Sequence, residues 1–150
     1  MSKKPDASFE HFIDAQNLMY EKVVAELSHG KKRTHWMWFI FPQLAGLGHS
    51  EMAMLYALYS LEQARRFAGH KILGERLRRC TTLVNDIEGR SIKEIFEYPD
   101  NLKFHSSMTL FALAVPEETL FDAALTKYFE SKEEMATVDL LQGHSEPANA

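Results

Sequence analysis

The chain has 150 residues, 45% of them hydrophobic and 25% charged, with a formal net charge of -4. That balance is one of a packed domain rather than a disordered chain, and the acidity argues against a protein that coats nucleic acid. No apolar run approaches the ~20 residues that span a bilayer, and the lone Cys80 permits no internal disulfide, which fits a reducing cytoplasm.

The length predicts one domain over residues 1–150, with an ordered core at about 9–141 and loose ends at 1–7 and 142–150. The polar start lacks the apolar stretch of a secretory signal. Ser8 is placed to cap a long helix to His29, because Phe9, Phe12, Ile13, Gln16, Tyr20, Val23 and Leu27 recur at helical spacing. Gly30 stops it. Gln16 lies in that apolar stripe, either bonded to backbone or touching a ligand. After Lys31-Lys32-Arg33 comes an aromatic run, Thr34 to Gln43, holding both tryptophans. Thr34 would cap a short helix through Phe41; a buried strand is the alternative, since periodicity does not separate the two over so few residues. Pro42 ends either one.

Ser50 caps a run from Glu51 to Tyr59, and Ser60-Leu61-Glu62-Gln63 has the form of a capping box for a helix to Ala68. Leu73, Leu77, Cys80, Val84 and Ile87 make a helical stripe. Cys80 on it is expected to be buried and inert, and Glu75, Arg76, Arg78 and Arg79 fall on a solvated face. Ser91-Ile92-Lys93-Glu94 is a further capping box, cut short by Tyr98-Pro99. Asp100 would cap the next helix, which is apolar round much of its circumference and therefore central. Pro116 suits the first turn of another, with Glu117 and Glu118 at its positive end. A last helix covers Glu133 to Leu141. The fold predicted is all-α, a single multihelical globule of about seven helices.

His35-Trp36-Met37-Trp38-Phe39-Ile40-Phe41-Pro42-Gln43, Gly46-Leu47-Gly48, Glu94-Ile95-Phe96, Pro99-Asp100 and Ser106-Ser107-Met108-Thr109-Leu110-Phe111 resemble an uncharacterised bacterial family, a domain of unknown function whose members often carry the name calpastatin. The resemblance runs from about Phe9 to Leu141. It implies an all-α fold and no established activity. The name itself fits poorly, because calpain inhibitors of that type are extended, disordered chains and this composition is that of a packed domain. Phe104 stands where the resemblance implies a smaller aliphatic residue, and His105 where relatives are often basic. An anion contact there would make this member pH-dependent.

Three constellations carry candidate chemistry. Trp36 and Trp38 would stack on a flat ligand, with Gln43 reading a polar edge and His35 as the candidate for proton transfer; alternatively both rings are core. Lys103, Ser106 and Ser107 share one helical face near a helix start and would hold a phosphate, or else form a polar stripe inside a bundle. A capping aspartate at that end opposes an anion. Lys31-Lys32-Arg33 beside the aromatics is either a ligand-facing patch or a solvated loop. Gly46-x-Gly48 lacks the preceding strand of a dinucleotide fingerprint. Seven histidines form no H-x-x-x-H pair, and no cofactor or metal is predicted.

Two functions follow as expectations. One is a small-molecule domain that binds or processes a phosphorylated, flat-ringed, nucleotide-like ligand in a polar cleft shared by the aromatic segment and the 100–107 helix start, with enzymatic action left open. The other is a non-catalytic protein-interaction module. Neither membrane nor nucleic acid is expected as a partner, and no oligomeric state is assigned.

Overall fold

A computed structural model describes residues 9–143. The expected Ser8 cap, the arm at 1–7 and the tail beyond Gly143 lie outside them. Among the described residues there are nine helices and no strand: α1 Glu10–Ser28, α2 Met37–Ile40, α3 Glu51–Leu55, α4 Leu61–Gly69, α5 Lys71–Asn85, α6 Ile92–Ile95, α7 Asp100–Ala114, α8 Leu120–Phe129 and α9 Met135–Leu141. The chain is a single all-α domain. Nine is close to the expected seven.

The helices α5 and α7 form the frame. α4 and α8 each pack on both, α1 packs on α5, and α9 packs on α7. Burial follows the stripes: Leu73, Leu77, Cys80 and Val84 of α5 are inside, as are Phe104, Met108, Leu110 and Phe111 of α7. Two aromatic nests join through α7. Phe96 and Phe41 meet Phe104 at centroid distances of 5.1 and 5.0 Å. Phe9 and Phe12 pack on Phe67, which reaches Phe111 at 5.7 Å. Such edge-on and tilted pairs each add ~0.5–1.5 kcal/mol beyond burial.

Caps set several boundaries. Ser50 and Ser60 accept from Ala53 and Gln63 amides, and Ser91 with Glu94 closes a full capping box. In the Ser60 motif the Gln63 amide oxygen instead accepts from Tyr59 N, at 2.8 Å.

Four local expectations are corrected. The Thr34–Phe41 run is helical only over Met37–Ile40, and its N-cap position is Trp36, without a side-chain bond. Thr34 is drawn away by a carboxylate described below. Asp100 is the first residue of α7 rather than its cap, which is Pro99, because its carboxylate pairs with two lysines. Pro116, Glu117 and Glu118 form a turn before α8, since Glu117 and Glu118 are held by Arg65 and Arg78 at 2.6 and 2.8 Å. Arg78 and Arg76 are therefore half-buried rather than wholly solvated, and Arg76 lies 4.8 Å from the Tyr20 ring centroid.

Candidate functional site

The basic and aromatic loop is built around Glu26. Its residue is 9% exposed and its carboxylate accepts from Arg33 N at 2.8 Å, Thr34 N at 3.2 Å, Thr34 Oγ1 at 2.7 Å and Trp36 Nε1 at 2.8 Å. Burial alone would raise the pKa of this carboxylate, but the four donors outweigh it and hold the group below its ordinary 4.5. They also fix Trp36, which has no exposed surface and packs edge-on to Phe96 at 6.2 Å. Trp36 is therefore a core residue with its one donor satisfied.

The next layer is cationic. Lys32 N donates to Ile95 O at 2.9 Å, which lays the loop along the end of α6. Lys32 Nζ sits 5.3 Å from the Trp36 ring centroid and 2.7 Å from Asp100 Oδ2. Lys103 Nζ sits 5.2 Å from the Trp38 ring centroid and 3.4 Å from Asp100 Oδ1. The aromatic segment and the start of α7 are thus neighbours, joined also by the Phe41–Phe104 contact. Two ammonium groups converge on one carboxylate above two indoles, and the half-buried Trp38 borders that array.

No hydrogen bond among the described residues ties the other candidates to it. Ser106 Oγ donates to Glu134 Oε1 at 3.0 Å, on the side of α9. Ser107 is fully buried and its hydroxyl has no partner among the described residues. The α7 start is not an open anion site either: Asp100 N bonds Glu97 O, and the amides of Leu102 and Lys103 bond Pro99 O. His35 is exposed. Gln43 is half-buried, and its carbonyl accepts from Leu58 N at 3.0 Å in the short pairing of Leu44 with Leu58. Gln16 is the backbone-bonded residue of the two alternatives, donating to Phe39 O at 2.7 Å. His105 stacks on Phe129 at 3.9 Å, and its Nε2 faces Lys132 O at 2.8 Å. A carbonyl partner requires that nitrogen to donate, so His105 ties α7 to the end of α8. Cys80 is buried, and desolvation pushes its thiol up to about 12.

A second surface was not anticipated. Around the Gly46 turn, which needs a φ of +102°, apolar side chains face outward. Tyr59 is 68% exposed, Met54 53% and Leu55 52%. Two concavities share Tyr59 and Ala45 as a common wall. The smaller, about 200 Å³, is completed by Gly46, Gly48, His49, Met54 and Ala57. The larger, about 380 Å³, is bounded by Leu44, Ser60, Leu61, Leu140 and Leu141. Neither is lined by Trp36, Trp38, His35 or Lys103. The signal for this face was present in the run Glu51–Tyr59, which is apolar without a stripe. A helix of five residues cannot bury side chains that point all round it.

Among the described residues no helix is long and apolar enough to cross a membrane, and no cluster of three or more histidine, cysteine or acidic residues is placed to hold a metal. No curated protein matches the chain significantly. The chain is similar to the conserved hypothetical protein Rv1873 from Mycobacterium tuberculosis, known from a crystal structure, with 51% identity, a TM-score of 0.88 and coverage of 89% of this chain and 96% of that one. Residues 6–141 match the family described as "Protein of unknown function (DUF1810)", and the chain belongs to that family.

Proposed function

We propose that this domain is a non-catalytic interaction module that binds another protein through the apolar surface around Tyr59. The polar groups that would serve chemistry are engaged within the molecule: Trp36 with Glu26, Ser106 with Glu134, and Lys103 with Asp100. The observation that carries the reading is the pair of concavities meeting at Tyr59, bordered by exposed Met54 and Leu61. Exposed apolar surface of this kind, set beside hollows, is characteristic of recognition faces. The test is a peptide-display selection against the folded chain, with selected binders mapped by amide chemical-shift changes. Binders should converge on residues 54–61. Convergence on Trp38 and Lys103 would defeat the proposal.

A second reading keeps one specific support. Lys103 lies over the half-buried Trp38 ring, and Lys32 shares its carboxylate partner. That array would take the flat, phosphorylated ligand expected from sequence, provided the ligand phosphate displaces Asp100 from the lysines. A nucleotide panel read by thermal shift tests it. Ligand at 100 times its Kd stabilises by ~2.7 kcal/mol, and Lys103→Ala should abolish the shift. No shift with any nucleotide removes this reading.

A further inference from the structure

We propose that the corner between α4 and α5 binds a small phosphate monoester, its phosphate taken by Arg66, His70 and Lys71. The site shares no lining residue with the Tyr59 face and does not depend on it. α4 ends and α5 begins on one residue, His70, whose backbone is extended at φ -70° and ψ 138°. The chain turns there, and an open hollow of about 730 Å³ is lined by Glu62, Arg65, Arg66, Gly69, His70 and Lys71. That volume falls within the roughly 300–1,000 Å³ of small-molecule sites. Three of the six lining residues are lysine or arginine, a fourth is histidine, and one is acidic. In a chain of net charge -4 this is a local reversal of sign. Other hollows differ. One of about 410 Å³ has Asp122 and Glu133 and no cation, one of about 420 Å³ sets Arg90 against Asp86 and Glu88, and the two at Tyr59 have neither lysine nor arginine.

The donors are side chains held in place. His70 Nδ1 accepts from Ile72 N at 3.1 Å and Leu73 N at 3.3 Å. An accepting Nδ1 is unprotonated, so the neutral ring carries its proton on Nε2, away from those amides. Phe9 packs edge-on against the same ring, with centroids 6.2 Å apart. The hollow thus has an N–H donor of fixed tautomer. The same bonds take the first amides of α5 out of the site, as does Gly74 N on His70 O at 2.8 Å. Arg65 is anchored on Ala114 O at 2.9 Å and Glu117 Oε2 at 2.6 Å and stands as a fixed wall. Arg66 gives one N–H to Glu62, at 2.9 Å, in a surface pair of the kind that contributes little. A ligand phosphate displaces that carboxylate. A phosphate monoester brings a charge of about -1.5 to -2 and three terminal oxygens, one for each of Arg66, Lys71 and His70. A carboxylate brings one charge and two oxygens, and leaves a cation unanswered. The rest of the hollow is space for the organic group of the ester.

The test titrates the isotope-labelled full chain with phenyl phosphate, inorganic phosphate and benzoate at constant ionic strength, read by amide chemical shifts and the His70 ring nitrogens. Phenyl phosphate should shift residues 65–71 and saturate with a Kd below about 10 mM. Benzoate and inorganic phosphate should each bind at least about fivefold more weakly. Lys71→Ala and, separately, Arg66→Ala should each weaken phenyl phosphate by about tenfold, as loss of a charged hydrogen bond does. Glu62→Gln should tighten it, a gain that a damaged fold does not give. A Cβ at Gly69 meets nothing within 4 Å, so Gly69→Phe sets a ring in the hollow and should block binding without lowering the melting temperature. Circular dichroism checks that each variant folds. Absence of saturation overturns the proposal, as does binding that survives both Gly69→Phe and Lys71→Ala. Benzoate as tight as phenyl phosphate overturns the phosphate class, and inorganic phosphate as tight overturns the ester. Shifts centred on Trp38 and Lys103 assign the ligand to that array and overturn the site at the corner.

Discussion

Trp36 has no exposed surface and directs its Nε1–H at Glu26 Oε1, 2.8 Å away. Removing that acceptor leaves a buried indole donor unsatisfied and strips two part-buried backbone amides of their partner. An unsatisfied buried group costs ~1–3 kcal/mol. Glu26→Ala should therefore lower the urea midpoint by an amount equivalent to at least about 2 kcal/mol, with a red shift of tryptophan emission as the loop loosens. An unchanged midpoint would show that the loop stands without its carboxylate. Cys80 makes the opposite kind of statement, one of inertness. A thiol raised to about 12 holds almost no thiolate near neutral pH, and its residue is buried. Labelling by a thiol reagent should be slow in the native chain and become fast only in denaturant; rapid native labelling would contradict the placement.

At the level of helices, Gly74 decides how α4 and α5 meet. A methyl group at that position would lie 2.0 Å from Ala68 O and 2.8 Å from Ala68 C, backbone atoms that cannot step aside. Alanine normally improves a helix interior by ~1 kcal/mol over glycine, but here the clash reverses the sign. Gly74→Ala should lower the melting temperature by several degrees, roughly the 2–4 °C per kcal/mol of a domain this size or more. A rise in melting temperature would refute the close approach. Arg78 reinforces the same junction, donating to Ala68 O at 2.6 Å and to both oxygens of Glu118. This is where sequence was least informative. Helical stripes and serine caps depend on residues three or four apart, so α5, the Ser91 box and the buried face of α7 were legible. The Pro116-Glu117-Glu118 turn was misread because its glutamates answer arginines 40 and 52 residues away, a relation with no local mark. The candidate site was half legible for the same reason. Lys103 beside the aromatic run was anticipated, since both needed the same core. Asp100 as the hub of two lysines was not, and Ser106 and Ser107 turn out to face the interior. The Tyr59 face was missed although the run Glu51–Tyr59 carries its signal, an apolar stretch with no helical stripe to turn inward.

Across the whole molecule, two half-buried or buried carboxylates tie loops to helices, and both are held below their ordinary 4.5. Glu26 has been described. Glu134, whose burial would raise it, is outweighed by donors from Thr137, Ala136 and Ser106, and it caps α9 while gripping α7. A carboxylate with a depressed folded pKa binds fewer protons in the native state than in the unfolded one. Its contribution to stability is therefore complete above the unfolded pKa, near 4.5, and is lost as pH falls through the lower folded value. Stability measured in urea should be nearly level from about pH 7 to about pH 5 and should decline below about pH 4.5. The exposed pairs Lys31–Glu97 and Arg65–Glu117 also hold their carboxylates low, but such surface pairs weaken in salt. A decline that persists in 0.5 M salt belongs to the inner carboxylates. The double variant Glu26→Gln with Glu134→Gln sharpens the test. It should be less stable than the parent at neutral pH, and the gap should close as the parent's own carboxylates take up protons. Two curves that stay parallel from neutral to acid pH would mean that neither carboxylate carries the linkage, and that acid acts on this fold through other groups.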